Sequence, residues 1–106
     1  MKKQSAVAKA MADKSFVSII MPVYNGSRFV AKAIQSMLNQ SYKRIELLIV
    51  DNGSTDDTAT LLKSFKKQFA NRIKIYTFTS NKGAFFASNY ALTRAKGRYI
   101  AMMDAD

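Results

Sequence analysis

Five of the seven acidic residues fall in two short segments, residues 51–57 (DNGSTDD) and 104–106 (DAD), each directly after an apolar run. Asp104 and Asp106 are separated by one small residue, Ala105. In extended backbone their carboxylates project to the same side, roughly 6 to 7 Å apart along the chain. Such a pair can give one oxygen to a divalent cation and another to a sugar hydroxyl; read alone, it is more often only a polar turn, and its place beside the other acidic segment is what favours the first reading. Hard oxygen ligands select Mg²⁺ or Mn²⁺ over zinc. The chain has no cysteine and no histidine, which excludes disulfides, thiolate and imidazole ligands and the usual general base. In the other segment, Asp51 and Asn52 can accept from the ring N–H of a planar base, or can fix their own turn through Asx hydrogen bonds. Tyr24 is either a half-buried packing residue or a platform on which a base stacks. The glycines, Gly26, Gly53, Gly83 and Gly97, form neither a GxGxxG nor a GxxxxGK[ST] pattern.

The elements that position these residues are strands and helices in alternation. Residues 16–21 (FVSIIM) form an apolar β-rich run, with Pro22 marking its exit because it has no N–H to donate. After the turn at residues 23–27, Phe29, Val30, Ala33, Ile34, Met37 and Leu38 recur at helical spacing. A second strand spans residues 45–50, apolar enough to be buried on both faces. At its end Gly53 lets the backbone turn, and Ser54 with Asp57 suggests a capping box for a helix over residues 55–69 that buries Leu61, Leu62, Phe65 and Phe69. Residues 73–78 form a third strand and residues 84–95 a third helix, stopped by Gly97; residues 98–103 form a fourth strand. Short connections between alternating elements predict an α/β fold with a mostly parallel sheet, helices on both faces and strand order 3-2-1-4. The loops carrying Pro22, Val23, Tyr24, Asp51, Asn52, Lys82, Gly83, Asp104, Ala105 and Asp106 then share the carboxyl edge of the sheet, where such folds bind ligands.

Residues 1–15 start with two lysines like an export signal, but Lys9 and Asp13 interrupt a stretch that is mostly alanine. They are expected to form a loose or frayed tail, or a short amphipathic helix that touches a membrane or a partner. Seventeen basic residues give a net charge of +10. They are scattered, as on a solvated surface, and also suit a phosphorylated substrate or an anionic membrane. Nucleic acid is disfavoured, because the aromatics lie in apolar patterns instead of alternating with Lys and Arg.

Taken together, VSIIMPVYN, IELLIVDNGSTDDT, NKG followed by ASNYAL, and GRYIAMMDAD resemble, in order and spacing over residues 16–106, the family 2 glycosyltransferases of GT-A fold. The resemblance implies a nucleotide-diphospho-sugar donor, a divalent cation (Mn²⁺ or Mg²⁺), and inverting transfer of a sugar to an acceptor hydroxyl on a glycan or lipid-linked acceptor. It places Pro22, Val23 and Tyr24 beside the base and Asp51 and Asn52 on its edge, and counts Lys82 and Gly83 among the donor-binding residues. Ribose and metal fall to Asp104, Ala105 and Asp106, the metal to Asp104 and Asp106.

Two positions depart from the family pattern. Asn52 stands where members often have a second aspartate, which weakens the case for uridine; a UDP-sugar is still the first choice of donor, with a dTDP-sugar the second. Ser88 stands where many carry an arginine, so a cationic contact near the diphosphate is either absent or supplied by Lys82. Members continue past the metal motif to an acceptor-binding half and a general base. Residues 16–106 are therefore expected to be the donor-binding half, with no catalytic base among them. Family habit points to a cytoplasmic enzyme, at the inner face of a membrane where the acceptor is lipid-linked. The rival expectation is a non-catalytic nucleotide- or partner-binding module. A receiver-type signalling domain is disfavoured, because the first strand ends in Pro22-Val23-Tyr24 instead of an acidic pair.

Overall fold

A computed structural model describes residues 2–103, with side chains from residue 6 onward. Eight elements alternate: α1 (Lys2–Asp13), β1 (Val17–Val23), α2 (Val30–Leu38), β2 (Ile45–Asn52), α3 (Thr58–Gln68), β3 (Ile73–Phe78), α4 (Ala84–Leu92) and β4 (Tyr99–Met102). The four strands form one sheet in the order β3-β2-β1-β4, parallel throughout, as the alternation requires. Val17 pairs with Ile45 and with Tyr99, and Leu47 with Ile73, so β1 and β2 are central.

Side-chain alternation along β1 and β2 divides the core between two faces. Ile19, Met21, Val23, Leu47 and Ile49 point into the larger cluster, covered by α1, α2 and α3. Ile20, Leu48 and Val50 point the other way, against Ala87 and Ala91 of α4. Helix α2 buries Val30, Ile34, Met37 and Leu38 at the expected spacing. Phe29, grouped with them in the sequence reading, precedes the helix and is exposed beneath the Arg28 guanidinium.

Several boundaries differ from expectation for local reasons. Pro22 does not end β1; it pairs in register with Val50 inside the strand. The Ile20 carbonyl accepts from Met103 N–H on the β4 side, so by alternation Pro22 nitrogen also faces that side, beyond the last β4 pair at Met102. No ladder donor is needed there. Helix α3 starts at Thr58, too late for a box based on Ser54, and Asp57 makes no side-chain cap. The end of α4 tightens into i to i+3 bonds, Arg94 N–H to Ala91 and Ala95 N–H to Leu92.

Of the two expectations for the arm, a loose tail or a short amphipathic helix, the structure shows the helix, from residue 2 to residue 13, packed on the protein itself. Ala6, Val7 and Ala10 are buried in the larger cluster, their small side chains allowing close approach to β1 and β4. Lys14, at φ 60, turns the chain out of the helix. The Tyr42 hydroxyl is shared between the Ala10 and Ser15 carbonyls, and the Tyr99 hydroxyl donates to Asp13 at 2.6 Å. Lys9 and Asp13, which interrupt the apolar pattern, are exposed. Among the described residues no helix is long and apolar enough to cross a membrane.

Candidate functional site

Val23 and Asp51 are paired in the β1–β2 ladder, so the chain leaves β1 at Tyr24 level with the carboxyl end of β2. Val23 is buried in the core and has only backbone to offer a ligand, whereas Tyr24 is 50% exposed. Asp51 and Asn52 remain in β2 instead of forming the turn, and both are buried. Asp51 Oδ1 accepts from Ser54 N–H at 3.1 Å, the Asx closure that a short acceptor side chain makes ahead of a glycine turn. Asn52 reaches across to the loop after β3. Its Oδ1 accepts from Lys82 N–H at 2.8 Å, and its amide donates to Asn81 Oδ1 at 3.1 Å. Asn81 Oδ1 also accepts from Gly83 N–H at 2.8 Å.

Glycine is required at two points of this arrangement. Gly53 has φ 78, and a Cβ there would lie 2.6 Å from Asn81 N and 2.7 Å from Ser80 Cα, both backbone atoms that cannot swing away. Gly83 has φ 88 and ψ 150 at the entrance to α4, a region other residues avoid. The Lys82 ammonium stands 5.7 Å from the Phe86 ring and 6.0 Å from the Phe78 ring. Phe85 and Phe86 are exposed on the first turn of α4.

A second set of ties joins the loop after β1 to the loop after β2. Asn25, at φ 49, accepts with Oδ1 from Thr55 N–H at 2.8 Å and Asp56 N–H at 3.3 Å, while its own N–H donates to Ser54 Oγ at 2.9 Å. Gly26 N–H donates to Thr58 Oγ1 at 3.0 Å and Ser27 N–H to Asp56 Oδ2 at 3.2 Å. The Thr58 hydroxyl and N–H both donate to Asp56 Oδ1. The Thr58 hydroxyl bond is the main reason that the Asp56 carboxyl is held down at about 2; partial burial opposes it, and the Thr58 and Ser27 amides add to it. Asn25, Asp56, Thr58 and Asn81 thus do work that the sequence reading did not assign. Asn25 lies in a Tyr-Asn-Gly turn, where asparagine tolerates a left-handed backbone, but its partners some thirty residues on carry no local signal.

The structure therefore brings Pro22, Val23, Tyr24, Asp51, Asn52, Lys82 and Gly83 to one edge. Asp104, Ala105 and Asp106 lie outside the described residues. Strand β4, which leads to them, runs parallel to the others toward that same edge.

A sequence profile described as Glycosyl transferase family 2 matches residues 18–106. Two Bacillus subtilis (strain 168) proteins are each 41% identical. One is EpsE, named as a glycosyltransferase, over 90 residues (85% of this chain, 32% of EpsE). The other is TuaG, named as a teichuronic acid biosynthesis glycosyltransferase, over 93 residues (88% of this chain, 36% of TuaG). The chain spans about a third of the length of these curated relatives. Among solved structures, S. aureus TarS 1-349 in complex with UDP superposes with a TM-score of 0.75 at 26% identity, covering 86% of this chain and 27% of that one. The same protein has been solved in complex with UDP-GlcNAc, with a TM-score of 0.73.

Proposed function

The chain belongs to glycosyl transferase family 2, and from that premise we propose that it forms the donor-binding half of an inverting sugar transferase. The observation that carries this reading is the rim of three loops at the carboxyl edge, those after β1 and β3 each tied to β2 or the loop after it, with Tyr24 half exposed where β1 leaves the sheet and Asp51 paired with its neighbour Val23. Tyr24 supplies a flat face for the base and Asp51 an acceptor for a ring N–H, a combination that suits uracil first and thymine second. The UDP complexes of TarS support the same choice. Asn52 has both ends of its amide engaged by Lys82 and Asn81, so its role is to hold the neighbouring loop as well as to border the base. Lys82, in the loop that Asn52 holds, is the cation we assign to the diphosphate.

The oxygen donors of Asp104 and Asp106 suit Mn²⁺ or Mg²⁺, and the sequence offers no histidine or cysteine to recruit a softer metal. The cation, when bound, neutralises the charge that develops on the departing nucleoside diphosphate. The chain's own residues orient the donor and exclude water from one side of it; the general base that takes the acceptor proton belongs to sequence beyond residue 106. The acceptor is a glycan or a lipid-linked glycan. We assign the work to the cytoplasm, and the net charge of +10 favours association with an anionic inner membrane face.

Calorimetric titration with UDP tests the base site. Tyr24→Ala should weaken binding by about 1 to 3 kcal/mol through lost stacking. Unchanged affinity would return Tyr24 to a packing role and remove the chief support for this reading.

A further inference from the structure

Glu46 is a carboxylate inside an apolar central strand, 3% exposed. Its Oε2 accepts from the Ser18 hydroxyl at 2.5 Å and from Lys96 N–H at 2.8 Å, and its Oε1 lies 3.2 Å from Lys74 Nζ. Ser18, fully buried on β1, accepts in turn from Gly97 N–H at 2.7 Å. Burial alone would raise the Glu46 pKa, but the bonds from Ser18, Lys96 and Lys74 prevail and hold it below the usual carboxylate value. All of these groups sit near the amino ends of the strands, away from the donor edge. Retaining a buried charge there costs desolvation that an apolar pair would avoid.

What the charge secures is the turn ahead of β4. Lys96 and Gly97 are fastened to two different strands, and Gly97 approaches β1 so closely that a Cβ would lie 2.5 Å from Ser18 N and 2.7 Å from Ser18 Oγ. Strand β4 has four residues, pairs with β1 on one side, and among the described residues has no strand on its other side. Its ladder begins with Arg98 N–H and Tyr99 N–H on the Phe16 carbonyl and ends with Met103 N–H on Ile20. Helix α1 packs on one face of β4 and Asp13 takes the Tyr99 hydroxyl, but the backbone register of a strand paired on one side is set where it enters the sheet. A slip of one residue would turn its side chains to the opposite face and move it by about 3.3 Å. Metal coordination tolerates displacements of only about 0.2 Å.

We propose that Glu46, Ser18 and Gly97 are positioning residues that set the register of β4 on β1, and through it the placement of Asp104 and Asp106. The second half rests on the metal reading given above. Ser18→Ala and Gly97→Ala test it, with Lys74→Met as the control that touches the same carboxylate without reaching the turn. Three quantities are read: amide exchange at Tyr99 and Met103 by NMR, uptake of Mn²⁺ by electron paramagnetic resonance, and binding of UMP without metal. In both test variants, exchange at Tyr99 and Met103 should rise and Mn²⁺ affinity should fall by about tenfold, a typical effect of losing an outer-shell support. UMP affinity should stay within about twofold, since Tyr24 and Asp51 are remote from the substitution, and Lys74→Met should move none of the three. Unchanged Mn²⁺ affinity, or Mn²⁺ and UMP affinity falling together, would overturn the positioning role. A wild-type protein that takes up no Mn²⁺ would defeat the metal reading and the second half with it, and exchange at Tyr99 and Met103 would still decide the first.

Discussion

The two ends of the sheet are fastened by opposite means. At the carboxyl end, Asn25, Asn52, Ser54, Asp56 and Asn81 tie loops to one another through bonds between side chains and backbone amides, several of them on exposed groups. At the amino end, one buried carboxylate gathers β1, β2 and the turn before β4, and α1 packs its alanines against the sheet. An end that must admit a ligand cannot be closed with apolar side chains. It is braced from behind with short polar ones. Substitutions at the carboxyl end should therefore alter ligand affinity beyond their effect on stability, whereas those at the amino end should alter stability alone or the placement of β4.

Gly53→Ala should have the largest effect. It combines a strained φ with a collision against backbone, and a loss of about 3 kcal/mol is expected in urea unfolding, with UDP binding abolished. A loss below about 1 kcal/mol would mean that the loops after β2 and β3 separate readily, and the contrast between the ends would fail. Glu46→Ala comes next, at about 2 kcal/mol, because it leaves the buried Ser18 hydroxyl and Lys96 N–H without their acceptor. Metal-free UMP affinity should not follow that loss; if it does, the two ends are coupled more tightly than their separation implies. Asn52→Asp sets a second acceptor against Asn81 Oδ1 and should cost about 1 kcal/mol while weakening UDP binding, by calorimetry, more than that figure. An effect on stability alone would make Asn52 a strut without a part in the site.

The smallest effect concerns acid. The Asp56 carboxyl titrates at about 2 when folded, against an ordinary 3.8. Its contribution is complete above the ordinary value and is lost as pH falls from there through about 2. An NMR titration following the Ser27 and Thr58 amides should show a midpoint at about 2. A midpoint near 3.8 would mean that the tie to Asp56 does not form in solution.

How much of this was legible in the sequence depends on the range of the interaction that decides each feature. The strands were legible because residues 45–50 and 73–78 are apolar runs bounded by turn residues, and the parallel order followed from their alternation with helices. Helix α1 was legible only as one of two alternatives, since Lys9 and Asp13 broke a pattern that alanine makes faint. Small side chains at residues 6 and 10 reveal their worth only against a partner surface. Ser54 and Asp57 imitated a capping box, but Asn25 claims the Ser54 hydroxyl from across the sheet. Glu46 did carry a signal that went unread: a single acid within a run otherwise fit for a buried strand must find donors somewhere. That Asp51, Tyr24 and Lys82 lie at the carboxyl edge was legible from residue type and place, because the end of a strand can be recognised without a distant partner.

The close approach of Gly53 to Ser80 and Asn81 has a further consequence for recognition. Two loops that share backbone contact cannot reorganise one at a time, so on the proposed reading a nucleotide would meet a rim whose conformational freedom was given up during folding. Association then loses little loop entropy, and affinity rests on the groups that touch the ligand instead of on ordering the backbone beneath them. Donors that differ only in the base should accordingly differ in dissociation rate far more than in association rate.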